Sequence, residues 1–385
     1  MSTVLKNIKG DKVIWAVVIL LSVFSLLAVY SSTGTLAYKY KSGNTEYYMI
    51  KHFIILIFGL SLIYFIHRIK YIYFSRIFQI AFYIVIPLLL ITLFIGVNLN
   101  EARRVLLLPF NLTFQTSDLA KLTLVVFLSR LLSKKQDSIK SFKTAFVPIM
   151  LPVLIICGLI LPANFSTAAM LFVTCLVLIF IGRIKTQYLL SLLGIGILSL
   201  SIFIAILFAL PEDNQGRLMT WKKRIEAHFG EGEENNYQVE QSKIAIASGG
   251  IFGKFPGNST QRNFLPHPYS DFIFAIIVEE YGLVGSIFIV LLFLIFFFRV
   301  IRIATKIKGK FGTFITFGIG FSLIFQAMIN MAVAVNILPV TGQTLPLVSM
   351  GGTSIWFTCI SVGIILSVSR EVQEETDIEL NLAAA

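Results

Sequence analysis

Ten mainly apolar runs recur along this chain, at about residues 13–31, 49–66, 77–97, 117–133, 144–161, 165–182, 187–210, 271–298, 312–333 and 352–369. Each approaches or exceeds the roughly 17–25 residues that a helix needs to cross a bilayer core of about 30 Å. Lipid offers backbone N–H and C=O groups no partner, so a run of this length crosses as a helix. The expected fold class is therefore an all-α polytopic membrane protein of about ten transmembrane helices. Composition agrees: 14% of the 385 residues are charged, where a soluble domain carries about 25%. One membrane domain over 1–370 is expected, followed by an acidic tail at 371–385 whose terminal NLAAA reads as an appended sequence. The first run follows Lys6, Lys9 and Lys12 and is long enough to span, so it reads as an uncleaved signal-anchor.

The net charge of +12 has a topological explanation and calls for no nucleic-acid partner. Lys and Arg concentrate in alternate connections: Lys6, Lys9 and Lys12; Arg68, Lys70 and Arg76; Arg130, Lys134, Lys135, Lys140 and Lys143; Arg183 and Lys185; then Arg299, Arg302, Lys306, Lys308 and Lys310. The positive-inside rule places these segments, and both termini, in the cytoplasm. Cys157, Cys175 and Cys359 lie in apolar runs and read as packing residues. His52, His67, His228 and His267 show no metal-ligand spacing. Between the seventh and eighth helices runs a long outside connection, about 211–270. Connections of that length usually carry function or are disordered.

Three carboxylates open the next apolar run, LPHPYSDFIFAIIVEEYG at 265–282. With Ser270 as N-cap, Asp271 falls in a first helical turn, where the helix dipole favours its charge; it is equally placed to act as a general base at the outer face. Glu279 lies about 12 Å deeper and about 80° around the helix, and Glu280 about 180° around. An acid at such depth points to function or to a buried ion pair. Arg103, Arg104 and Lys121 are cations on the outer side, against the topological bias, and suit a phosphate or lipid headgroups. NILPVTGQTLPLVSMGGTS (336–354) reads as a loop sheltered from lipid, and SGGIFGKFPGNSTQ (248–261) as one whose glycines let a ligand approach the backbone. These residues describe an outward-facing site for a large anionic, lipid-linked substrate and leave enzyme and transporter both open.

NEARR, SDLAK, the YQ…QS.IAI.SGG..G…GNS stretch, LP….DFIFA.I.EE.GLVG and PVTG..LPLVS.GG.S occur in the order found in the SEDS family (FtsW and RodA), which the chain resembles over nearly its whole membrane region. GNS at 257–259 is closer to the division type, FtsW, than to the elongation type, RodA. The resemblance implies a peptidoglycan glycosyltransferase that polymerises lipid II at the outer face of the bacterial inner membrane. Its partners would be a class B penicillin-binding transpeptidase and other division-complex membrane proteins. Asp271 corresponds to the essential aspartate and would be the general base of an inverting transfer. Arg103, Arg104, Lys121 and Arg217, with Ser259 and Gln261, would bind substrate and its diphosphate. Glu279, Glu280, Thr341 and Ser349 would support the site. The family implies a divalent cation, Mg or Mn, at the diphosphate; the sequence shows no metal cage, and Asp271 is the one candidate ligand. The mechanism requires Asp271 to share an outward cavity with Arg103, Arg104 or Lys121.

The chain departs from the family's pattern at LPHPYSDF, where LPEAHTDF is commoner. It departs also at Val105 for a Trp, at PANFSTA with Asn164 for an Asp, at PVTGQTLP for PVTGIPLP, and at Met350 for a Tyr. These changes bear on secondary contacts. Three alternatives stand beside septal polymerisation: a lipid II flippase using Glu279 and Glu280 for ion coupling, a non-catalytic division scaffold that only recruits and activates the transpeptidase, and a RodA-type elongation polymerase.

Overall fold

The computed structural model describes residues 9–41, 43–99, 102–108, 112–209 and 233–384. Each apolar run has a helix over most of its length: α1 (Lys12–Ser32), α3 (Thr45–Ile66), α4 (Tyr71–Ile95), α5 (Thr116–Lys134), α6 (Val147–Ile160, entered through a π-turn at Phe142–Phe146), α7 (Phe165–Ile181), α8 (Thr186–Ala209), α10 (Ile273–Lys306), α11 (Lys310–Ala334) and α12 (Thr353–Ala384). Among the described residues seven helices are long and apolar enough to cross a membrane: α1, α3, α4, α6 with its π-turn, α10, α11 and α12. α7 is a shorter apolar helix, and α5 and α8 occupy the two remaining runs. Short helices α2 (Gly34–Lys41) and α9 (Glu233–Gly249) complete the set, α9 packing along α10.

One feature departs from an all-α expectation. Residues 97–115 hold a small antiparallel sheet, β1 (Val97–Leu99), β2 (Ala102–Leu108) and β3 (Leu112–Gln115), in the order β1-β2-β3. Asn98 faces Arg103 across β1–β2, and Val105 faces Gln115 across β2–β3. In addition, α12 continues as a helix through the acidic tail, where Glu374 pairs with Lys9 at 3.1 Å and Glu379 with Lys308 at 2.5 Å.

Side-chain locks at the two ends of α1 fix how it lies against α10. Asp11 caps α1, its Oδ1 accepting from the amides of Val13 (2.9 Å) and Ile14 (3.1 Å). Its Oδ2 pairs with Arg299, near the far end of α10. At the other end of α1, Ser31 hydrogen-bonds Glu280 near the start of α10. The two helices are thus antiparallel. The start of α1, the end of α10 and the tail of α12, where Gln373 meets Gly10, share one face, and Asp271 lies at the opposite one.

Candidate functional site at the mouth of α10

Asp271 stands outside the helix that the sequence puts it in. α10 begins at Ile273, with Phe272 as a cap that offers no side-chain bond. The reason is competition for the backbone. The carbonyl of Tyr269 accepts from Met350 N (2.9 Å), that of Ser270 from Ser349 Oγ (2.6 Å) and that of Asp271 from Asn330 Nδ2 (2.9 Å). With those acceptors engaged, Ala275 N turns to Phe272 O at 3.0 Å. Ser270, expected as the N-cap, donates instead to Asp271 Oδ1 at 2.6 Å.

The connection at 335–352 forms the cradle. Ser349 Oγ, while donating to Ser270, accepts from Leu345 N at 2.8 Å. Asn330 Nδ2 also reaches Gln343 O (2.7 Å), Gln343 reaches Thr167 Oγ1 (2.8 Å), and Gln326 Nε2 reaches Thr344 O (2.9 Å). Gly342, at φ +65°, brings this connection against the carboxylate: a Cβ there would lie 3.5 Å from Asp271 Oδ2. Asp271 is half-buried and has no cationic partner among the described residues. Thr341 Oγ1 is buried with no hydrogen-bond partner among them.

What keeps Glu279 and Glu280 in an apolar helix is a loop folded into its side. Glu279, with no exposed surface, accepts from Lys254 Nζ (2.8 Å), Thr260 N (3.1 Å), Thr260 Oγ1 (2.8 Å), Gln261 N (3.2 Å) and Ser259 Oγ. Glu280 accepts from Ser31 Oγ and from Ser259 N at 3.2 Å. Arg262 closes the lock by donating to Gly257 O (2.9 Å) and Ser31 O (3.2 Å). Buried carboxylates are tolerated when paired and multiply hydrogen-bonded. Ser259 and Gln261, expected to meet substrate, here spend the Ser259 hydroxyl and the Gln261 amide on Glu279.

The glycines of SGGIFG serve the same docking, and the approach they permit is to α10 rather than to a ligand. α10 breaks at Gly282 (φ 66°, ψ −163°), freeing the amides of Leu283 and Val284 to bond Gly250 O (3.0 Å) and Ile251 O (3.2 Å). A Cβ on Gly253 would sit 2.2 Å from Glu280 O, and one on Gly249 2.1 Å from Val278 O.

The cations are less gathered. Lys121 pairs with Asp118 at 2.8 Å and donates to Gln326 Oε1 at 3.1 Å. It lines a cleft with about 400 Å³ of empty space between α5, α11 and α12, alongside Asp118, Gln326 and Ser354; Asp271 does not line this cleft. Among the described residues the two are joined indirectly, through Gln326 and Thr344 of the cradle. Arg103 and Arg104 are placed by their backbone on β2, and their side chains lie outside what is described, as Arg217 does entirely. The sheet that carries β2 meets the cradle through Thr353 Oγ1, which donates to Thr113 O at 2.9 Å. Among the described residues no three His, Cys, Asp or Glu side chains converge as a metal site.

Comparison with known proteins adds the family. A family model described as cell cycle protein, and named for FtsW, RodA and SpoVE, matches residues 11–374. The chain is similar to stage V sporulation protein E of Bacillus subtilis (strain 168), with 32% identity over 369 residues, 95% of this chain and 98% of that relative. It is also similar to the probable peptidoglycan glycosyltransferase FtsW of Coxiella burnetii, 32% identical over 369 residues and covering 93% and 96% of the two chains. Among solved structures, a chain of a peptidoglycan synthase complex superposes with a TM-score of 0.71 at 22% identity, over 94% of this chain and 98% of that one. The rod shape determining protein RodA of Thermus thermophilus does so with 0.66 at 23%, over 94% and 97%. At these identities the structural likenesses establish the fold alone.

Proposed function

The chain belongs to the FtsW, RodA and SpoVE family of cell cycle proteins, and it is a multi-pass membrane protein; from that membership we propose that it polymerises lipid II into β-1,4 glycan strands, in septal cell-wall synthesis, at the outer face of the bacterial inner membrane. Both termini are then cytoplasmic, and Asp271 lies at the outer mouth.

One observation carries the reading: a half-buried carboxylate at a helix mouth, held by Ser270 through Oδ1 while Oδ2 has no partner among the described residues. A base needs a free lone pair and a fixed position. Asp271 takes the proton from the 4-hydroxyl of the acceptor sugar as that oxygen attacks the anomeric carbon of the donor. The new C–O bond forms opposite the breaking one, whose electron pair leaves with undecaprenyl diphosphate, so the α-linked donor becomes a β-linked glycan. Arg103, Arg104 and Arg217 neutralise the diphosphate. Lys121, held by Asp118 and Gln326 in a cleft that Asp271 does not line, is left out of this contact. The cradle of Thr341 and Ser349, and the lock of Ser259, Gln261, Glu279 and Glu280, hold the mouth in shape.

The described residues provide no cage for a resident metal. A divalent cation, Mg or Mn, would enter with the diphosphate, surrounded mostly by phosphate oxygen and water; Asp271, as the base on the attacking side, would not be its ligand, and no step above depends on it. A class B penicillin-binding transpeptidase is the proposed partner that crosslinks the strands, alongside other division-complex proteins. The test is reconstitution of the purified protein with that partner in vesicles loaded with lipid II. Glycan polymer is the expected product. Movement of lipid II between leaflets with no polymer would replace this reading with transport.

A further inference from the structure

α1 and α3 bury a serine–histidine pair that the chemistry above does not use. His52 has no exposed surface, and its Nε2 lies 2.7 Å from Ser25 Oγ. Ser25 Oγ lies 2.8 Å from the carbonyl oxygen of Val348 and donates its hydrogen there. A hydroxyl has one hydrogen to give. The hydrogen between Ser25 and His52 must therefore come from the imidazole: Nε2–H donates, and Ser25 Oγ accepts. His52 Nδ1 is buried with no partner among the described residues. Such an orphan costs stability, so packing alone does not account for a histidine here. Its directed donor does.

The carbonyl that this pair holds is well placed. Val348 follows Leu347, whose φ of +61° puts a non-glycine residue in the left-handed region. That strain persists only where the surroundings hold it. The next two residues are the ones that grip the Asp271 lead-in, Ser349 on Ser270 O and Met350 on Tyr269 O, and Ser270 in turn holds Asp271 Oδ1. We propose that His52, acting through Ser25, is a positioning residue that fixes the 345–350 turn and with it the carboxylate of Asp271. The inference rests on Asp271 being the base.

The test measures lipid II polymerisation by the purified full chain with its transpeptidase partner, for wild type, Ser25→Ala, His52→Ala, His52→Gln and Asp271→Asn. Misplacing a reacting group by about 1 Å costs about 100-fold. Ser25→Ala and His52→Ala should therefore lower kcat by about 10- to 100-fold, with KM for lipid II changed little. His52→Gln keeps a donor N–H and should restore most of the loss. If His52→Ala fails to fold, Ser25→Ala, the smaller change, carries the same expectation. A folded alanine variant with wild-type kcat overturns the proposal. So does a glutamine variant as impaired as the alanine one, because that outcome marks simple packing. An active Asp271→Asn enzyme brings down the base reading itself, whereas an inactive one beside a fully active His52→Ala brings down only the role of His52.

Discussion

Lys254 Nζ lies 2.8 Å from Oε1 of Glu279, joining a partly exposed loop cation to a carboxylate sealed inside α10. Replacing Glu279 by Ala removes an acceptor that serves Lys254, Ser259, Thr260 and Gln261 together. Each buried donor left without its acceptor costs about 1–3 kcal/mol. Glu279→Ala should lower the thermal midpoint markedly in detergent and expose 250–262 to protease. Lys254→Ala should cost less, since the amides of the loop still reach the carboxylate. Equal midpoints for the two variants would contradict this ranking.

Gly282 and Gly253 should tolerate no side chain. A Cβ on Gly282 would lie 2.3 Å from Ile251 O, at φ +66°, and one on Gly253 2.2 Å from Glu280 O, at φ +78°. Overpacking costs about 1–3 kcal/mol, and a left-handed non-glycine backbone costs about 1–3 kcal/mol more. Gly282→Ala and Gly253→Ala should each reduce the folded yield and the thermal midpoint. Gly250→Ala, with open space around its Cβ and only φ +55° against it, should be milder.

Asp11 performs two separable tasks, capping α1 through Oδ1 and pairing with Arg299 through Oδ2. Asp11→Asn keeps a capping oxygen and loses the ion pair. Asp11→Ala loses both, and a lost cap alone costs about 1 kcal/mol. The thermal midpoint should fall in the order wild type, Asp11→Asn, Asp11→Ala.

Tyr269 sets an alkaline limit. Burial first, then the charge of Asp271 and the neighbouring Tyr40 and Tyr48, raise its pKa above the ordinary value of 10.0. The folded chain therefore holds this proton more tightly than the unfolded one. The associated stability is complete below about pH 10 and is lost as pH rises through the folded value. Tyr269→Phe should flatten the fall in thermal midpoint above about pH 10; identical slopes in the two proteins would contradict this.

The helices were legible because lipid demands unbroken apolar length, a property of local sequence, and each of the ten runs found its helix. The sheet at 97–115 was not. VLLL at 105–108 is apolar without alternation, and it is pairing with a neighbouring strand that makes it β. Asp271 stands just before a helix that the sequence starts too early, since Ser270 is a good N-cap on local grounds and the donors that compete for the carbonyls of 269–271, Asn330, Ser349 and Met350, come from 59 to 81 residues away. The glycines of SGGIFG were recognised as sites of close approach, but the partner, the backbone of α10, is visible only in three dimensions. Ser25 and His52 carried no local signal, for their meaning lies in Val348, 323 residues from Ser25.

The decisive measurement is the rate of glycan polymerisation from purified lipid II by wild type and by Asp271→Asn, each folded and bound to the proposed transpeptidase partner. Asparagine preserves the size of the side chain and its bond with Ser270 while removing basicity. The rate should fall by about 10²–10⁴-fold, as expected for loss of a general base. Polymer formed at the wild-type rate by the folded Asp271→Asn protein would contradict a catalytic role for Asp271.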